Sequence, residues 1–211
     1  MGMLSLPVEI ITEIATHLTP PDLIILSRLT KNFRALLMRR SAAPIWVSAI
    51  RNVPGLPDCP DDLCEAQYAA LVYSKHCSTC GANVTKPMDP YLNVRLCNPC
   101  RVEQVVSIKE ASNRLVKVLV PQTPKSDDDP SPVCLRSDLE ELTSYVLRLE
   151  DPNNHLDGKD WIRSKSDFRV ARVRYARKLE LFLEKLTEDR TKELEALRSQ
   201  RRDKYNLHHR L

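Results

Sequence analysis

The chain has 211 residues, 42% hydrophobic but only 5% aromatic, with 15 prolines against four glycines. That is enough for one domain or two small ones, and the shortage of aromatics argues against a single large aromatic core. Thirty-two basic and 28 acidic residues leave a net charge of +4, too little to imply a nucleic-acid partner by itself.

Residues 1–51 read as a module of four short helices. In LPVEIITEIATHL, Pro7 falls in the first turn, where its missing N–H is no loss, and Ile10, Ile11, Ile14 and Leu18 follow at helical spacing. TPPD stops that helix, and Asp22 is expected to cap the next one, LIILSRL. Thr30 is expected to cap a third helix, carrying Phe33, Leu36 and Leu37. Ser41 is expected to cap a fourth, carrying Ile45, Trp46, Ala49 and Ile50.

Residues 52–76 are a proline-rich turn followed by a helix with Tyr68, Leu71 and Val72 inward. Within 77–120, YLNVRL alternates: Leu92, Val94 and Leu96 face one way, Asn93 and Arg95 the other. This predicts a strand in a short hairpin, followed by one amphipathic helix over RVEQVVSIKEASNRLVKVL. Residues 121–136, with PQTPKSDDDPSP, are expected to be a disordered linker.

Residues 137–211 read as a helical extension. It opens on SDLE, a capping-box pattern at Ser137, with Leu139, Leu142, Val146 and Leu149 as its apolar stripe; DPNNHLDGKD breaks it. From Ser164 to Tyr205 nothing interrupts a helix, which at 1.5 Å per residue spans roughly 63 Å. Ala176, Leu179, Leu183 and Leu186 form a short coiled-coil-like seam. Arg190 interrupts it, and Leu194 and Leu197 resume it shifted by one. The fold class expected is mainly α, with a small treble-clef-like metal site after the first module and long helices at the C-terminal end.

Four of the seven cysteines are two Cys-x-x-Cys pairs, Cys77/Cys80 and Cys97/Cys100, with sixteen residues between them. Each tight turn presents two sulfurs to one ion, and two such turns complete a tetrahedral shell. The spacing predicts one structural zinc, closed by four sulfurs and so without an open catalytic position. An iron–sulfur centre is the weaker alternative. His76 is read as a solvated neighbour rather than a ligand. Cys59 and Cys64 are read as semi-buried residues rather than a second half-site, and Cys134 is given no role. No apolar run approaches the roughly 20 residues of a membrane span. The start of the chain lacks a secretory leader pattern, so a reducing compartment, cytoplasm or nucleus, is expected.

The spaced set Leu6-Pro7, Glu9-Ile10, Ile14, Leu18, Asp22-Leu23, Leu26-Ser27, Lys31, Phe33, Leu36 and Trp46 resembles an F-box over about residues 4–50. The stretch from Trp46 to Cys100, with its CxxC…CxxC, resembles the segment after the F-box in F-box proteins of mushroom-forming (basidiomycete) fungi. The resemblance implies a substrate receptor of Skp–cullin–F-box ubiquitin ligases. Such a receptor binds a Skp-type adaptor, and through it cullin, while its downstream region holds a protein substrate. It further implies that Leu6, Pro7 and Ile10 face the adaptor and that Leu23 and Leu26 add apolar contacts. A module of this size buries too little surface to be very stable alone, so a partner helix on its apolar face is physically reasonable.

Seven basic residues, Arg163, Lys165, Arg169, Arg172, Arg174, Arg177 and Lys178, stand against one acid, Asp167, between positions 163 and 178. The alternative function this supports is a zinc-stabilised regulator that grips nucleic acid. A solvated helix face is the preferred reading, since Glu180, Glu184 and Glu188 partly offset the charge and no RNA-type aromatic platform accompanies the arginines. A coiled-coil scaffold is the third reading. His17, His76, His155, His208 and His209 are scattered, and no nucleophile set, phosphate loop or His-Glu metal helix is present, so no enzymatic activity is expected.

Overall fold

The computed structural model describes residues 6–125, 131–150 and 158–208. The middle of the expected linker, the break after the 137–149 helix, His155 and His209 lie outside the described residues. Helices make up 65% of the fold.

Helix α1 (Val8–Thr16) begins at Pro7, whose carbonyl accepts from the N–H groups of Ile10 and Ile11 at 3.1 and 3.2 Å. Helix α2 (Pro20–Leu29) does not wait for Asp22, as the sequence reading expected. Both prolines occupy its first turn, where no N–H is required. Thr19 is the cap, and its N–H donates to the Asp22 carboxylate at 3.1 Å in a capping box. Thr30 caps α3 (Lys31–Leu37) as expected, its hydroxyl oxygen accepting the Phe33 N–H at 3.1 Å. Ser41 does not cap α4 (Ala43–Arg51). It lies in a 3-10 turn over Arg40–Ala42, and Ala42 takes the cap position. Ile11, Leu23, Leu26, Phe33, Leu37, Ile45, Trp46 and Ala49 form the core of these four helices. The Trp46 indole N–H donates to the Leu37 carbonyl at 2.9 Å, which satisfies the one polar atom the ring carries inward.

Helix α5 (Glu65–Tyr73) joins that core through Ala69. Its Tyr68, Leu71 and Val72 build a second cluster with Ile50, Met88, and Leu179 and Phe182 from the last helix, α9 (Lys159–His208).

The region between and after the cysteine pairs departs from expectation. YLNVRL is not a strand. The Asp89 carboxylate accepts the N–H groups of Tyr91 and Leu92 at 3.0 and 3.1 Å, a side-chain turn that competes with extended pairing. Asn93 follows at φ 53, and Leu92, Asn93, Arg95 and Leu96 are all buried instead of alternating. The single amphipathic helix expected over 101–119 is three pieces: α6 (Asn98–Gln104), strand β1 (Val105–Ser107) and, after a 3-10 turn, α7 (Arg114–Leu119). Ser107 and Asn113 each accept a backbone N–H two residues on, Lys109 at 3.3 Å and Leu115 at 2.7 Å, and so restart the chain locally.

Strand β1 pairs antiparallel with β2 (Val133–Leu135), with Val106 opposite Cys134. The hairpin-like pair thus lies outside the cysteine segment, and the C-terminal end of the expected linker is ordered. Cys134 is fully buried among Val106, Val116, Leu119, Leu142 and Val146. Helix α8 (Arg136–Leu149) starts on Leu135 without a side-chain cap, so SDLE is not used as a capping box.

Tyr145 of α8 stacks on Trp161 of α9, with ring centroids 3.9 Å apart. The long helix has two halves. Ala176, Leu179 and Phe182 are buried against the body, whereas every residue from 184 to 202 is exposed.

Candidate functional site

The two cysteine pairs are brought together by different local structures. The first is a knuckle after α5. The Cys77 N–H donates to the Ala82 carbonyl at 2.8 Å, and the Gly81 N–H returns to the Cys77 carbonyl at 3.0 Å. Gly81 has φ +74, the left-handed region a side chain would disfavour. The second pair opens α6, with Cys97 at the cap and a proline in the first turn.

A bracket of polar contacts sets the spacing between the pairs. The Ser78 N–H donates to the Arg95 carbonyl at 2.7 Å, and the Arg95 N–H donates to the Ser78 hydroxyl at 2.9 Å. The buried Arg95 guanidinium donates to the Leu71 carbonyl at 3.0 Å and to the Lys86 carbonyl, which fastens the segment to the end of α5. Nothing in the sequence marks Arg95 for this role, because its partners are backbone carbonyls of distant residues.

The sulfurs of Cys77, Cys80, Cys97 and Cys100 all lie within 4.8 Å of one another. Those of Cys80 and Cys97 are 3.6 Å apart. A tetrahedron of ~2.3 Å metal–sulfur bonds has edges of about 3.8 Å, so the four fit one ion. Burial pushes the Cys77 thiol up, but hydrogen bonds from the backbone of Cys80, Cys97 and Thr79 outweigh it and bring it down to about 6. One of these, the Cys97 N–H to Cys77 Sγ at 3.4 Å, crosses between the pairs. Cys100 is raised by sharing a proton with Cys97 and then by burial. Such a cluster favours its first thiolate and resists the rest unless a cation compensates.

The remaining cysteines stand apart from this group. The Cys59 thiol donates to the Leu63 carbonyl at 3.3 Å, Cys64 is the cap residue of α5, and Cys134 is in the β2 core. His76 is exposed and pairs through its backbone with Asn83.

The N-terminal helices present a second feature. Ile11 and Ala15 of α1 point into the core, yet Leu6, Val8, Ile10 and Ile14 are 40%, 48%, 48% and 38% exposed. Ile10 and Ile14, one turn apart, make a stripe on the outer face. Pro7 is exposed beside them. Leu23 and Leu26, expected at an adaptor face, are instead 0% and 7% exposed, committed to the module's own core. The outward apolar residues of α2 are Ile25 and Leu29, at 59% and 65%. Sequence reading passed over them. The available signal was the apolar run LIIL, which offers more apolar residues than one helix face can bury.

The basic stretch 163–178 is partly consumed inside the fold. Arg172 pairs with Asp62, and Lys165 lies 3.5 Å from Glu141. Arg163, Arg174, Arg177 and Lys178 remain exposed. Among the described residues no helix is long and apolar enough to cross a membrane. No curated protein and no solved structure matches this chain. Residues 3–41, which include α1 to α3, match the F-box domain, so an F-box precedes the cysteine cluster in this mainly helical fold.

Proposed function

We propose that this chain is an F-box subunit of a Skp–cullin–F-box ubiquitin ligase. F-box domains bind Skp-type adaptors. The observation that carries the reading is the outer stripe of α1. Ile10 and Ile14 of α1, and Leu6 just before it, stay exposed in the matched segment although the helix already buries Ile11 and Ala15. An apolar residue set on a second helix face is what a partner helix covers. The adaptor face is then Leu6, Pro7, Ile10 and Ile14, with Ile25 and Leu29 from α2, while Leu23 and Leu26 support it from beneath.

In this reading the cysteine cluster holds zinc as a brace. Four sulfurs close the shell, so the ion supplies folding energy and leaves no position for a substrate. The region beyond it presents a protein substrate, and ubiquitin transfer belongs to other subunits. The chain acts in the cytoplasm or nucleus, where thiols stay reduced. Co-purification of the chain with a Skp-type adaptor tests the reading. Wild type should retain the adaptor, and Leu6→Ala with Ile10→Asp should lose it at unchanged helix content. Failure of the wild type to retain any such adaptor would remove the proposal.

A further inference from the structure

A groove between α2, α3, α4 and α5 encloses about 540 Å³. Its floor is apolar: Ile24, Leu37, Met38, Ala66 and Ala70 line it, with Met38 46% exposed. Its rim carries four arginines, Arg28, Arg34, Arg39 and Arg40, against one acid, Glu65. All four arginines are exposed, and none pairs with a carboxylate among the described residues. Arg39 spends only its Nε–H, on the Ala35 carbonyl at 3.0 Å. Residues 64–67, the start of α5, line the groove too, so the positive end of that helix lies against the same space.

This surface is not the outer stripe already described. At 100° per residue, the mean direction of Ile24, Ser27 and Arg28 lies about 130° from that of Ile25 and Leu29 around α2. The groove is also completed by α5, which lies beyond the matched F-box residues.

We propose that the groove docks an acidic peptide with an apolar anchor, the anchor seated on the Met38–Ala66–Ala70 floor and its flanking carboxylates held by the arginine rim. Guanidinium groups take carboxylates through paired N–H donors, and several unpaired ones around one concavity favour a ligand carrying several carboxylates. The floor argues against single-stranded nucleic acid. Its aromatic residue, Trp46, is only 2% exposed and its N–H is already given to Leu37, so it offers no stacking face. The proposal does not depend on the adaptor reading.

Fluorescence anisotropy on the full chain tests it, with a labelled peptide in which glutamates flank a Leu-Leu pair. Saturable binding that weakens with salt is expected, and the same peptide with glutamine for glutamate should bind roughly tenfold more weakly or worse. Arg28→Glu, Arg34→Glu and Arg40→Glu together should weaken the acidic peptide by roughly a hundredfold. Met38→Asp alone should weaken it by about tenfold. Leu6→Ala with Ile10→Asp should leave peptide affinity unchanged, which separates the two surfaces. The proposal is overturned by no saturable binding at low salt, by equal affinity for the glutamine peptide, or by an unaffected arginine variant. Tighter binding of a single-stranded oligonucleotide, or displacement of the peptide by a Skp-type adaptor, would overturn it equally.

Discussion

The Arg172 guanidinium pairs with the Asp62 carboxylate, 110 residues earlier in the chain. The side chains are 10% and 28% exposed, so the pair is largely withdrawn from water. It ties α9 to the proline-rich turn before α5, next to the cluster where Leu179 and Phe182 pack on Tyr68. A basic residue that the sequence placed on a solvated helix face, with a phosphate contact as the alternative, is here a fastener.

Breaking that pair should loosen α9. Asp62→Asn or Arg172→Gln is expected to cost about 1–3 kcal/mol, between an exposed pair and a fully buried one. The double variant should cost little more than the worse single, because the two residues share one interaction. Urea unfolding followed by circular dichroism reads this. Additive losses would show that the two side chains act separately.

The two apolar faces of the N-terminal helices make opposite predictions. Leu23→Ala, at a fully buried site, should cost about 2–5 kcal/mol. Ile10→Asp, on the exposed stripe, should change stability by roughly 0.5 kcal/mol or less while abolishing adaptor binding. Thermal melts paired with adaptor pull-down separate them. Equal destabilisation by both would show that Ile10 belongs to the core.

Metal analysis of protein purified under reducing conditions should give one zinc per chain. Cys97→Ser should lose it, and hydrogen exchange should then rise over residues 77–104 before it rises over 11–49. Cys59→Ser should keep full metal content, because Cys59 lies outside the four-sulfur group. Metal retained by Cys97→Ser at full stoichiometry would place the ion elsewhere.

Asp89 makes a pH prediction. Burial raises its carboxyl above the ordinary 3.8, against the opposing pull of the Leu92 and Tyr91 N–H groups. The folded state then holds that proton more tightly than the unfolded chain does. Its contribution to stability is therefore present at low pH and falls as pH rises above 3.8. Asp89→Asn keeps an acceptor for both N–H groups and removes the charge. It should stabilise the protein at neutral pH and flatten this part of the profile, as urea midpoints across mildly acidic to neutral pH would show. A variant that is less stable at neutral pH would show that the carboxylate charge is used.

Several elements were legible because their causes are local. Thr30 caps α3 as read, since the hydroxyl and the N–H it accepts are three residues apart. Each Cys-x-x-Cys pair was legible because it needs only its own turn, whereas the meeting of the two pairs within 4.8 Å rests on the long-range Ser78–Arg95 bracket. YLNVRL misled because alternation suits a strand only where a partner strand is available. Here Asp89 captured the backbone first, and Asn93 turned the chain. The strand that does form, Val133–Leu135, lay in a segment whose prolines and aspartates suggested no structure, and its partner β1 is twenty-eight positions earlier at the Val106–Cys134 pair.

By itself the sequence determined the helical start of the chain, the metal-type spacing of four cysteines and the unbroken run that becomes α9. Only the tertiary structure decided which apolar residues of α1 and α2 face inward, which arginines are used internally and where the two short strands meet. Periodicity places residues on a common face, but it takes the neighbouring helix to cover one face and leave the other. Leu23 and Leu26 are core, and Ile25 and Leu29 are surface, because α3 to α5 lie on one side of α2 and not on the other.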